Sequence, residues 1–328
     1  MDIIQKIKDS KLTGRGGAGF PTGEKWEAVK NATGEKKYII VNASEGEPNA
    51  MKDGFILENY PEEIVNGVKV ALDTFAGSEA YLYLRKDYYD KFKAKLVELT
   101  KNLPITLFRE PGGYLCGEES TLIESIEGHR FEPRMKPPFP TQVGLYDCPT
   151  LVNNLETFYW ISKISKDEYR GNRFYSLSGD IETSGVFEFP EDYSIEKILK
   201  ETKNFPEKEF FVQVGGGASG IILTDKELDN KATGAGSIIV YDKEKTDPVK
   251  LMKKWIDFYF NENCGKCVPC REGVYRIKEM LDEIGDRELR GESLEKIKDI
   301  LFVLRETSFC PLGKGVAMPL EGFLEKIY

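Results

Sequence analysis

YIIVNASEGEP, residues 38–48, joins a short run of β-forming apolar residues to an acidic, glycine-containing loop. Downstream, residues 61–76 place apolar side chains on one helical face, with Pro61 suited to the first turn and Gly77 suited to the C-cap. Residues 80–84 and 105–108 are strand-like, and residues 86–101 between them are helix-like. Strands that alternate with helices in this way predict a three-layer α/β domain with a mostly parallel sheet.

The pattern changes twice after this domain. From Lys250 onward it is helical, and apolar residues recur at helical spacing between Leu294 and Leu304, which predicts a C-terminal helical bundle. The intervening region predicts a small module of β-grasp type from four segments, 174–186, 194–201, 210–214 and 237–241. We therefore expect three domains, covering residues 1–165, 166–246 and 247–328.

Composition restricts the class of protein. The 328 residues include 46 Lys and Arg against 55 Asp and Glu, a formal charge of -9 that argues against a nucleic-acid-binding face. No apolar run is long enough to cross a bilayer, and the start MDIIQKIKDS lacks the apolar region of a signal peptide. We expect a cytoplasmic protein without direct membrane insertion. The single histidine, His129, argues against a multi-histidine metal site.

The cysteines form the most specific motif. Cys264, Cys267 and Cys270 are each three residues apart, and Cys310, followed by a proline, completes the set. Three thiolates at this spacing with a distant fourth are typical of a 4Fe–4S cluster. The alternative is structural zinc, which more often uses two CxxC pairs or cysteine with histidine. Cys116 stands apart, and a covalent catalytic role for it is disfavoured because His129 is the one imidazole available as a base.

A glycine-rich loop precedes the first predicted strand. Residues 14–19, GRGGAG, match GxGxxG literally, but the segment before them, residues 3–11, is helix-like, so the dinucleotide-binding strand–turn–helix is absent. Glycines permit close approach of the backbone to a ligand, and Arg15 and Lys25 add positive charge. The loop is therefore predicted to bind an anionic ligand, with an ordinary surface turn as the alternative.

Two further loops follow predicted strands. The carboxylates of residues 42–48 suit hydrogen bonds from ribose hydroxyls and would repel a 2′-phosphate, although a solvated acidic turn has the same composition. Residues 111–119, PGGYLCGEE, place glycines, an aromatic ring and two glutamates after the strand at 105–108. Phe20, Lys136 and Phe139 lie in Gly- or Pro-rich loops and are open as ligand contacts.

Together these strings resemble a known family. Between Gly14 and Gly313 the chain resembles the NADH-oxidising flavoprotein subunit of respiratory complex I and of related NAD-linked hydrogenases and formate dehydrogenases. The matching motifs occur in the same order as in that family. The strings that carry the resemblance are GRGGAGFPTGEKW, VNASEGEPNAMKD, YLCGEESTLIESIEG, RMKPPFPTQVGLYDCPTLVNNLET, NCGKCVPCREG and SFCPLG. The resemblance implies a Rossmann-like FMN domain, a ubiquitin-like (SLBB) domain and a helical domain that holds one 4Fe–4S cluster. It implies an NADH dehydrogenase subunit in which hydride passes from NADH to FMN, and single electrons pass to the cluster and to partners, or the reverse.

The same resemblance assigns residues. It places FMN near Gly14, Arg15, Gly16, Gly17, Lys25, Asn42, Ser44, Tyr114, Gly117, Glu118, Val152, Asn153 and Asn154. It places NADH near Phe20, Glu45, Glu47, Glu119, Lys136 and Phe139, with Glu47 and Glu119 as the candidate catalytic carboxylates. It makes Cys264, Cys267, Cys270 and Cys310 the cluster ligands.

Three departures from the family pattern leave a second hypothesis open. Ser44 stands where the family usually has aspartate, Gly46 where it usually has serine, and Ala28 where an aromatic ring helps to hold adenine. The alternative is a flavin and iron–sulfur electron-transfer subunit that has lost NADH binding and is reduced by another protein. A zinc-stabilised nucleotide-binding scaffold is a third possibility. The expected partners are iron–sulfur subunits of a multisubunit redox complex, including a 2Fe–2S thioredoxin-like subunit. Nucleic acid is not expected as a partner. The chain is expected to be cytoplasmic or peripheral to a membrane complex.

Overall fold

The computed structural model describes residues 2–285 and 287–328. Its helices are α1 (Ile3–Asp9), α2 (Thr22–Asn31), α3 (Lys52–Asn59), α4 (Pro61–Thr74), α5 (Lys86–Thr100), α6 (Glu119–Ile126), α7 (Leu155–Ser165), α8 (Ile195–Glu201), α9 (Pro248–Glu262), α10 (Val268–Ile284), α11 (Glu292–Thr307), α12 (Pro311–Gly315) and α13 (Ala317–Lys326). Its strands are β1 (Tyr38–Ala43), β2 (Glu79–Leu84), β3 (Ile105–Arg109), β4 (Thr150–Asn154), β5 (Asn172–Gly179), β6 (Gly185–Pro190), β7 (Phe210–Val214), β8 (Ile221–Thr224) and β9 (Ser237–Asp242).

The chain forms two compact units. The first contains the described residues up to Gly46, then Ala50–Tyr175 and Glu188–Glu191. The second contains Glu47–Asn49, Ser176–Phe187 and Asp192–Tyr328. The three domain ranges expected from the sequence stay a prediction.

The first unit is built on a parallel sheet. Among its described residues the strand order is β3-β2-β1-β4, and β1 pairs in parallel with β2 on one side and β4 on the other. Ile39, Ile40 and Val41 of β1 are fully buried because helices cover the sheet. The chain runs from β1 outward to β3 and then returns to the opposite side of β1 as β4. Such a reversal of strand order is where open α/β sheets bind ligands, at the carboxyl ends of the strands.

The sequence predicted most of this unit. The runs at 38–41, 80–84 and 105–108 correspond to β1, β2 and β3, and the helical patterns at 61–76 and 86–101 correspond to α4 and α5. Helix α4 ends earlier than predicted, with Phe75 as its C-cap, and Gly77 follows at a positive φ of 79°. The predicted α/β class with a parallel sheet is confirmed, whereas β4, α2 and α3 were not predicted.

The second unit contains a mixed sheet. Within the part of the chain that the structure describes, its order is β6-β5-β9-β7-β8, with β5 parallel to β9 and β7 antiparallel to both β8 and β9. The sequence predicted the segment 174–186 as part of the small β-grasp-type module. The chain there forms two strands, and Gly179, with φ 97°, lies at the end of β5. The predicted segment 194–201 forms helix α8, and β8 lies outside the predicted segments.

Helices α9 to α13 complete the second unit, as the helical pattern after residue 250 predicted. Ile297, Leu301 and Leu304 form the buried face of α11. Helix α13 packs on the sheet through Phe323, whose ring centroid lies 5.5 Å from that of Phe211. No helix of the described residues is long and apolar enough to cross a membrane.

Candidate functional site

Two asparagines meet at the carboxyl ends of β1 and β4. Asn42 and Asn154 are register partners across the two parallel strands. Asn42 Nδ2 donates to the Gly117 carbonyl at 2.8 Å, and Asn154 Nδ2 donates to the Asn42 carbonyl at 3.3 Å. Asn154 also caps α7 by accepting from the Glu156 amide at 3.0 Å. These amides connect the loops that follow β1 and β3 at the point where the strand order reverses.

The glycine-rich loop lies against this edge of the sheet. Thr13 and Pro21 form an isolated bridge, and the Gly14 amide donates to the Phe20 carbonyl at 2.8 Å, so the segment between them closes as a tight loop. A Cβ on Gly16 would lie 3.2 Å from Asn154 Cβ. Gly17 has φ 116°, which glycine adopts without strain. Within the described residues, helix α1 precedes the loop in place of a strand, and close approach of its backbone to a ligand stays a prediction.

Arg15 points into the protein. Its side chain is 2% exposed, and Nη2 contacts the Glu191 carboxylate at 2.5 Å and the Tyr169 hydroxyl at 3.1 Å. Its backbone amide donates to Thr157 Oγ1 at 3.0 Å. Glu191 and Tyr169 thus hold the Arg15 guanidinium in the interior, and its placement beside a ligand stays a prediction.

Glu119 lies between two lysines. Lys25 Nζ is 3.3 Å from one Glu119 oxygen and donates to the Val152 carbonyl at 3.2 Å. Lys136 Nζ donates to the other Glu119 oxygen and to Glu118, both at 2.8 Å. Burial alone would raise the pKa of Glu119, but the two ammonium groups outweigh it and lower the pKa. Glu119 is therefore an ionised acceptor suited to hydroxyl groups, and it is poorly suited to donate a proton.

Glu118 and Asn153 have structural contacts. One Glu118 oxygen caps α6 by accepting from the amides of Ser120 and Thr121, each at 2.9 Å. Asn153 Oδ1 accepts from Trp26 Nε1 at 3.1 Å below the sheet edge. Glu118 thus stabilises the start of α6, and Asn153 connects β4 to α2.

The two glutamates of the acidic loop after β1, Glu45 and Glu47, differ in burial and in hydrogen-bond partners. Glu45 is buried and accepts from the Asp53 amide at 3.1 Å, the Gly54 amide at 3.4 Å and the Tyr88 hydroxyl at 2.6 Å, so it caps the first turn of α3. Burial and then the nearby Asp53 carboxylate raise the pKa of Glu45 to about 7. Glu47 is half-buried and accepts from the Ala218 amide at 3.0 Å and from the Ser219 hydroxyl. The two carboxylates expected near NADH are thus held by different partners.

Close packing explains two glycines in these loops. A Cβ on Gly46 would lie 3.0 Å from the ring of Tyr114, which begins the 3₁₀ turn Tyr114–Gly117. A Cβ on Gly117 would lie 3.0 Å from the Ser44 carbonyl. The loops after β1 and β3 therefore approach each other to backbone contact, which brings Ser44, Tyr114 and Gly117 together. Their role as FMN contacts stays a prediction.

The two aromatic rings that the sequence predicted as ligand contacts, Phe20 and Phe139, are both exposed. Phe20 is 51% exposed, and Lys25 Nζ lies 5.9 Å from the centroid of its ring. Phe139 is 50% exposed in the proline-rich loop. Half-exposed rings of this kind are suited to stacking on a planar ligand. Ala28, where the family resemblance places a third ring, is exposed on α2.

A buried charge network was not predicted. Lys52, Asp53 and Glu156 are all 2% exposed or less, with Lys52 Nζ 2.7 Å from Asp53 and 3.2 Å from Glu156. Asn154 Nδ2 donates to Asp53 at 2.7 Å, which links the network to the end of β4. Burial alone would lower the pKa of Lys52, but Asp53, Glu156 and Glu45 raise it above its usual value. The network was missed because charged side chains in a sequence ordinarily indicate a solvated surface.

The four cysteines come together in the second unit. Cys267 directly precedes α10, Cys270 lies in its first turn, and Cys310 directly precedes α12. Cys264 is partly exposed, and the other three are buried. Burial, followed by the nearby Cys267, Cys310 and Cys264, raises the pKa of Cys270 to about 12. The positive end of the α10 dipole favours negative charge on thiolate ligands at this position.

The donor set bears on the choice between the two metal hypotheses. Cys264, Cys267, Cys270 and Cys310 offer four thiolates, and a 4Fe–4S cluster takes one thiolate per iron. Structural zinc more often uses two CxxC pairs or cysteine with histidine. His129 lies elsewhere, 3.0 Å from Glu124.

Comparison with known proteins agrees with the predicted FMN domain and with the predicted iron–sulfur region. Residues 7–163 match the Nuo51 FMN-binding domain, and residues 250–327 match the NADH-ubiquinone oxidoreductase-F iron-sulfur binding region. The F 2 subunit of the NADH-quinone oxidoreductase of Rhizobium meliloti (strain 1021) is 34% identical over 363 residues, covering 99% of this chain and 86% of that protein. The chain belongs to the family of NADH-quinone oxidoreductase F subunits.

Further members of this family and its relatives match over nearly the whole chain. The NADP-reducing hydrogenase subunit HndC of Solidesulfovibrio fructosivorans is 32% identical, covering 97% of this chain and 73% of that protein. The structure of an NAD+-reducing [NiFe]-hydrogenase in the H2-reduced state superposes with a TM-score of 0.89 at 31% identity, over 98% of this chain. The chain spans 60% of the length of that hydrogenase chain.

These matches confirm the predicted family, fold class and cofactors. The chain is an NADH-binding flavoprotein electron-transfer subunit of an oxidoreductase, with an FMN domain and a 4Fe–4S region. The zinc-stabilised scaffold is not supported. The individual contact residues stay predictions.

Proposed function

We propose that this chain is an NADH dehydrogenase subunit that takes electrons from NADH and passes them to a redox partner. The observation that carries the proposal is the arrangement of Lys25, Glu119 and Lys136, which is joined to β4 by the bond from Lys25 to the Val152 carbonyl. With Glu118, which also accepts from Lys136, the group has two positive and two negative charges, and it lies in the domain that matches the FMN-binding family. Bound FMN supplies the chemistry that joins a two-electron donor to a one-electron cluster.

The residues around the switch point suit FMN. Because glycines lack a Cβ, the backbone of Gly14–Gly17 can approach a ligand closely. At Gly16 a side chain would also crowd Asn154. Asn42 and Asn154 provide side-chain amides, and Lys25 provides one positive charge. In this proposal these residues hold and orient the isoalloxazine and its phosphate. Arg15 contributes its backbone, because its guanidinium is engaged with Glu191.

NADH binding is assigned to the neighbouring charged and aromatic residues. Phe20 and Phe139 stack on the adenine, and Glu119, Lys136 and Glu47 hold the ribose and phosphate groups. The role of Glu47 and Glu119 is positioning, because hydride transfer depends on the placement of donor and acceptor rings more than on a protein acid or base. The lowered pKa of Glu119 agrees with a role as hydrogen-bond acceptor.

A second candidate function is an electron-transfer subunit that another protein reduces. Ala28 favours it, because this exposed position on α2 offers no aromatic ring to an adenine. The loss of one stacking contact costs about 1 kcal/mol, which weakens binding without abolishing it. We therefore place NADH oxidation first.

One anaerobic experiment separates the two functions. The full chain is reconstituted with iron, sulfide and FMN, NADH is added, and bleaching of the flavin absorbance is followed. Rapid bleaching is the expected result. If NADH fails to bleach the flavin while dithionite still does, the chain has lost its nucleotide site and the second function is correct. NADPH serves as the comparison, and equal rates would contradict the hypothesis, drawn from the carboxylates of residues 42–48, that the site prefers NADH to NADPH.

We further propose a setting for this activity. The relatives named above are subunits of NADH-quinone oxidoreductases and hydrogenases, so the partners are redox subunits, and the most direct one is a 2Fe–2S thioredoxin-like subunit. The mixed sheet with α8 is proposed as the SLBB domain, within the three-domain division 1–165, 166–246 and 247–328. A cytoplasmic location, peripheral to a membrane complex, is part of this proposal.

A further inference from the structure

The loop between β7 and β8 encloses the segment that carries Glu47. Its sequence is GGGASG, residues 215–220. The Gly217 amide donates to the Pro48 carbonyl at 3.1 Å. A Cβ on Gly216 would lie 2.4 Å from Glu47 Cδ, and a Cβ on Gly217 would lie 2.3 Å from the Pro48 carbonyl oxygen. Real Cβ atoms essentially never approach so closely, so the two glycines form a cradle shaped for this segment.

Both oxygens of the Glu47 carboxylate receive a hydrogen bond from this loop. Oε2 accepts from the Ala218 amide at 3.0 Å, and Oε1 accepts from the Ser219 hydroxyl. Two donors on consecutive residues fix the plane of the carboxylate as well as its position. A glutamate on a loop otherwise samples several rotamers, and ordering it on ligand binding reduces affinity.

We propose that Ser219 is a positioning residue for NADH binding, which acts by holding the Glu47 carboxylate in one orientation before the nucleotide arrives. The inference rests on the proposed function, since Glu47 contacts NADH only in that proposal.

Glu47 and Glu45 make an instructive contrast. Glu45 is 7% exposed, and the first turn of α3 and Tyr88 enclose its carboxylate. Glu47 is half-buried, and the two donors described above both come from one loop. Preorganisation by a single hydroxyl is therefore testable at Glu47, whereas a change at Glu45 would also remove a helix cap.

The test is Ser219→Ala in the full chain loaded with FMN and the cluster. With NADH as donor and ferricyanide as acceptor, the KM for NADH is expected to rise about 3- to 10-fold and kcat to stay within about twofold, because binding is lost equally in the ground and transition states. Ser219→Thr keeps the hydroxyl and should restore the KM. Ser184→Ala, at an exposed serine in the turn between β5 and β6, is the matched control. FMN content and cluster absorbance should equal those of the wild type in all three.

A double-mutant cycle shows whether Ser219 acts through Glu47. Glu47→Gln should raise the KM for NADH, and Ser219→Ala added to it should raise the KM no further. An equal increase from Ser219→Ala in both backgrounds would overturn the inference, as would an unchanged KM in either single variant. Failure of NADH to reduce the wild-type flavin would instead contradict the proposed function, so the two failures are distinguishable.

Discussion

The Ser44 hydroxyl donates a hydrogen bond to the buried carboxylate of Glu110. Ser44 follows β1, and Glu110 follows β3, so the contact joins two loops at the carboxyl edge of the sheet. Burial raises the pKa of Glu110, and the bond from Ser44 opposes part of that increase. Ser44 stands where the family resemblance places an aspartate. In this chain the carboxylate beside the loop comes instead from the end of β3.

The first prediction follows from this pair. Ser44→Asp would place two carboxylates in contact at a buried position, which should destabilise the first unit by about 2–4 kcal/mol at pH 8. Replacing Glu110 with Gln in the same chain removes the repulsion and should recover most of the loss. Thermal unfolding of the FMN-loaded protein measures both variants. A Ser44→Asp variant as stable as the wild type at pH 8 would contradict the direct contact.

The second prediction concerns pH and Glu45. Because the pKa of Glu45 is raised from 4.5 to about 7 in the folded state, the folded chain keeps a proton that the unfolded chain releases in this interval. Stability should therefore fall as the pH rises from about 4.5 to about 7, and the loss should remain above that range. A shift of this size is of order 3 kcal/mol.

Glu45→Gln tests the pH prediction because glutamine stays neutral throughout. Thermal midpoints of the wild type and the variant are compared at pH 5, 6, 7 and 8. The wild type should lose stability relative to the variant as the pH rises, with most of the change complete by about pH 7. Two parallel curves would show that Glu45 titrates near its ordinary value in the folded chain.

The sequence predicted elements whose apolar residues are continuous or periodic. β1 and α4 are of this kind, because their burial is visible in the run 38–41 and in the spacing of residues 61–76. β4 was missed, since its sequence TLVNN ends in two asparagines that serve the site edge and interrupt the strand pattern. Asn153 and Asn154 were therefore recognised as candidate site residues, whereas the strand that carries them, β4, was not predicted.

The orientation of a charged side chain could not be predicted from the sequence where its partner is far away along the chain. Arg15 was expected to face a ligand, but its guanidinium is held by Glu191, which is 176 positions away in the chain. Glu45 was expected to face NADH, and its carboxylate caps α3 instead. Local sequence gives the charge at each position, whereas the partner that orients the charge is fixed only by the tertiary fold.

The third prediction tests the exposed aromatic rings. Phe139→Ala should raise the KM for NADH about 3- to 10-fold, because a stacking contact contributes about 1 kcal/mol. The thermal midpoint should change little, since the ring is 50% exposed. Phe131→Ala is a suitable control, because that ring is 42% exposed in the same loop-rich stretch and has no assigned ligand role. Equal KM values for the two variants would argue against stacking on Phe139.

The fourth prediction concerns the fourth thiolate. Cys310 directly precedes α12, forty residues after Cys270, so it closes the cluster site from a separate helix. Cys310→Ser should therefore lose most of the iron and the visible absorbance of the cluster. FMN content should be unchanged, because the FMN-matching domain ends at residue 163. Iron analysis, visible spectra and flavin release by acid measure the three quantities.

The matched control for Cys310→Ser is Cys148→Ser, at a cysteine packed against the apolar cluster of the first unit. It should keep the cluster, which separates loss of a ligand from loss of any cysteine. NADH should still bleach the flavin in Cys310→Ser, while transfer to a one-electron protein acceptor should fail. Unchanged cluster absorbance in Cys310→Ser would mean that the fourth ligand lies elsewhere. Loss of both FMN and iron would mean that Cys310 acts on the fold, because a ligand confined to the cluster has no reason to alter flavin binding.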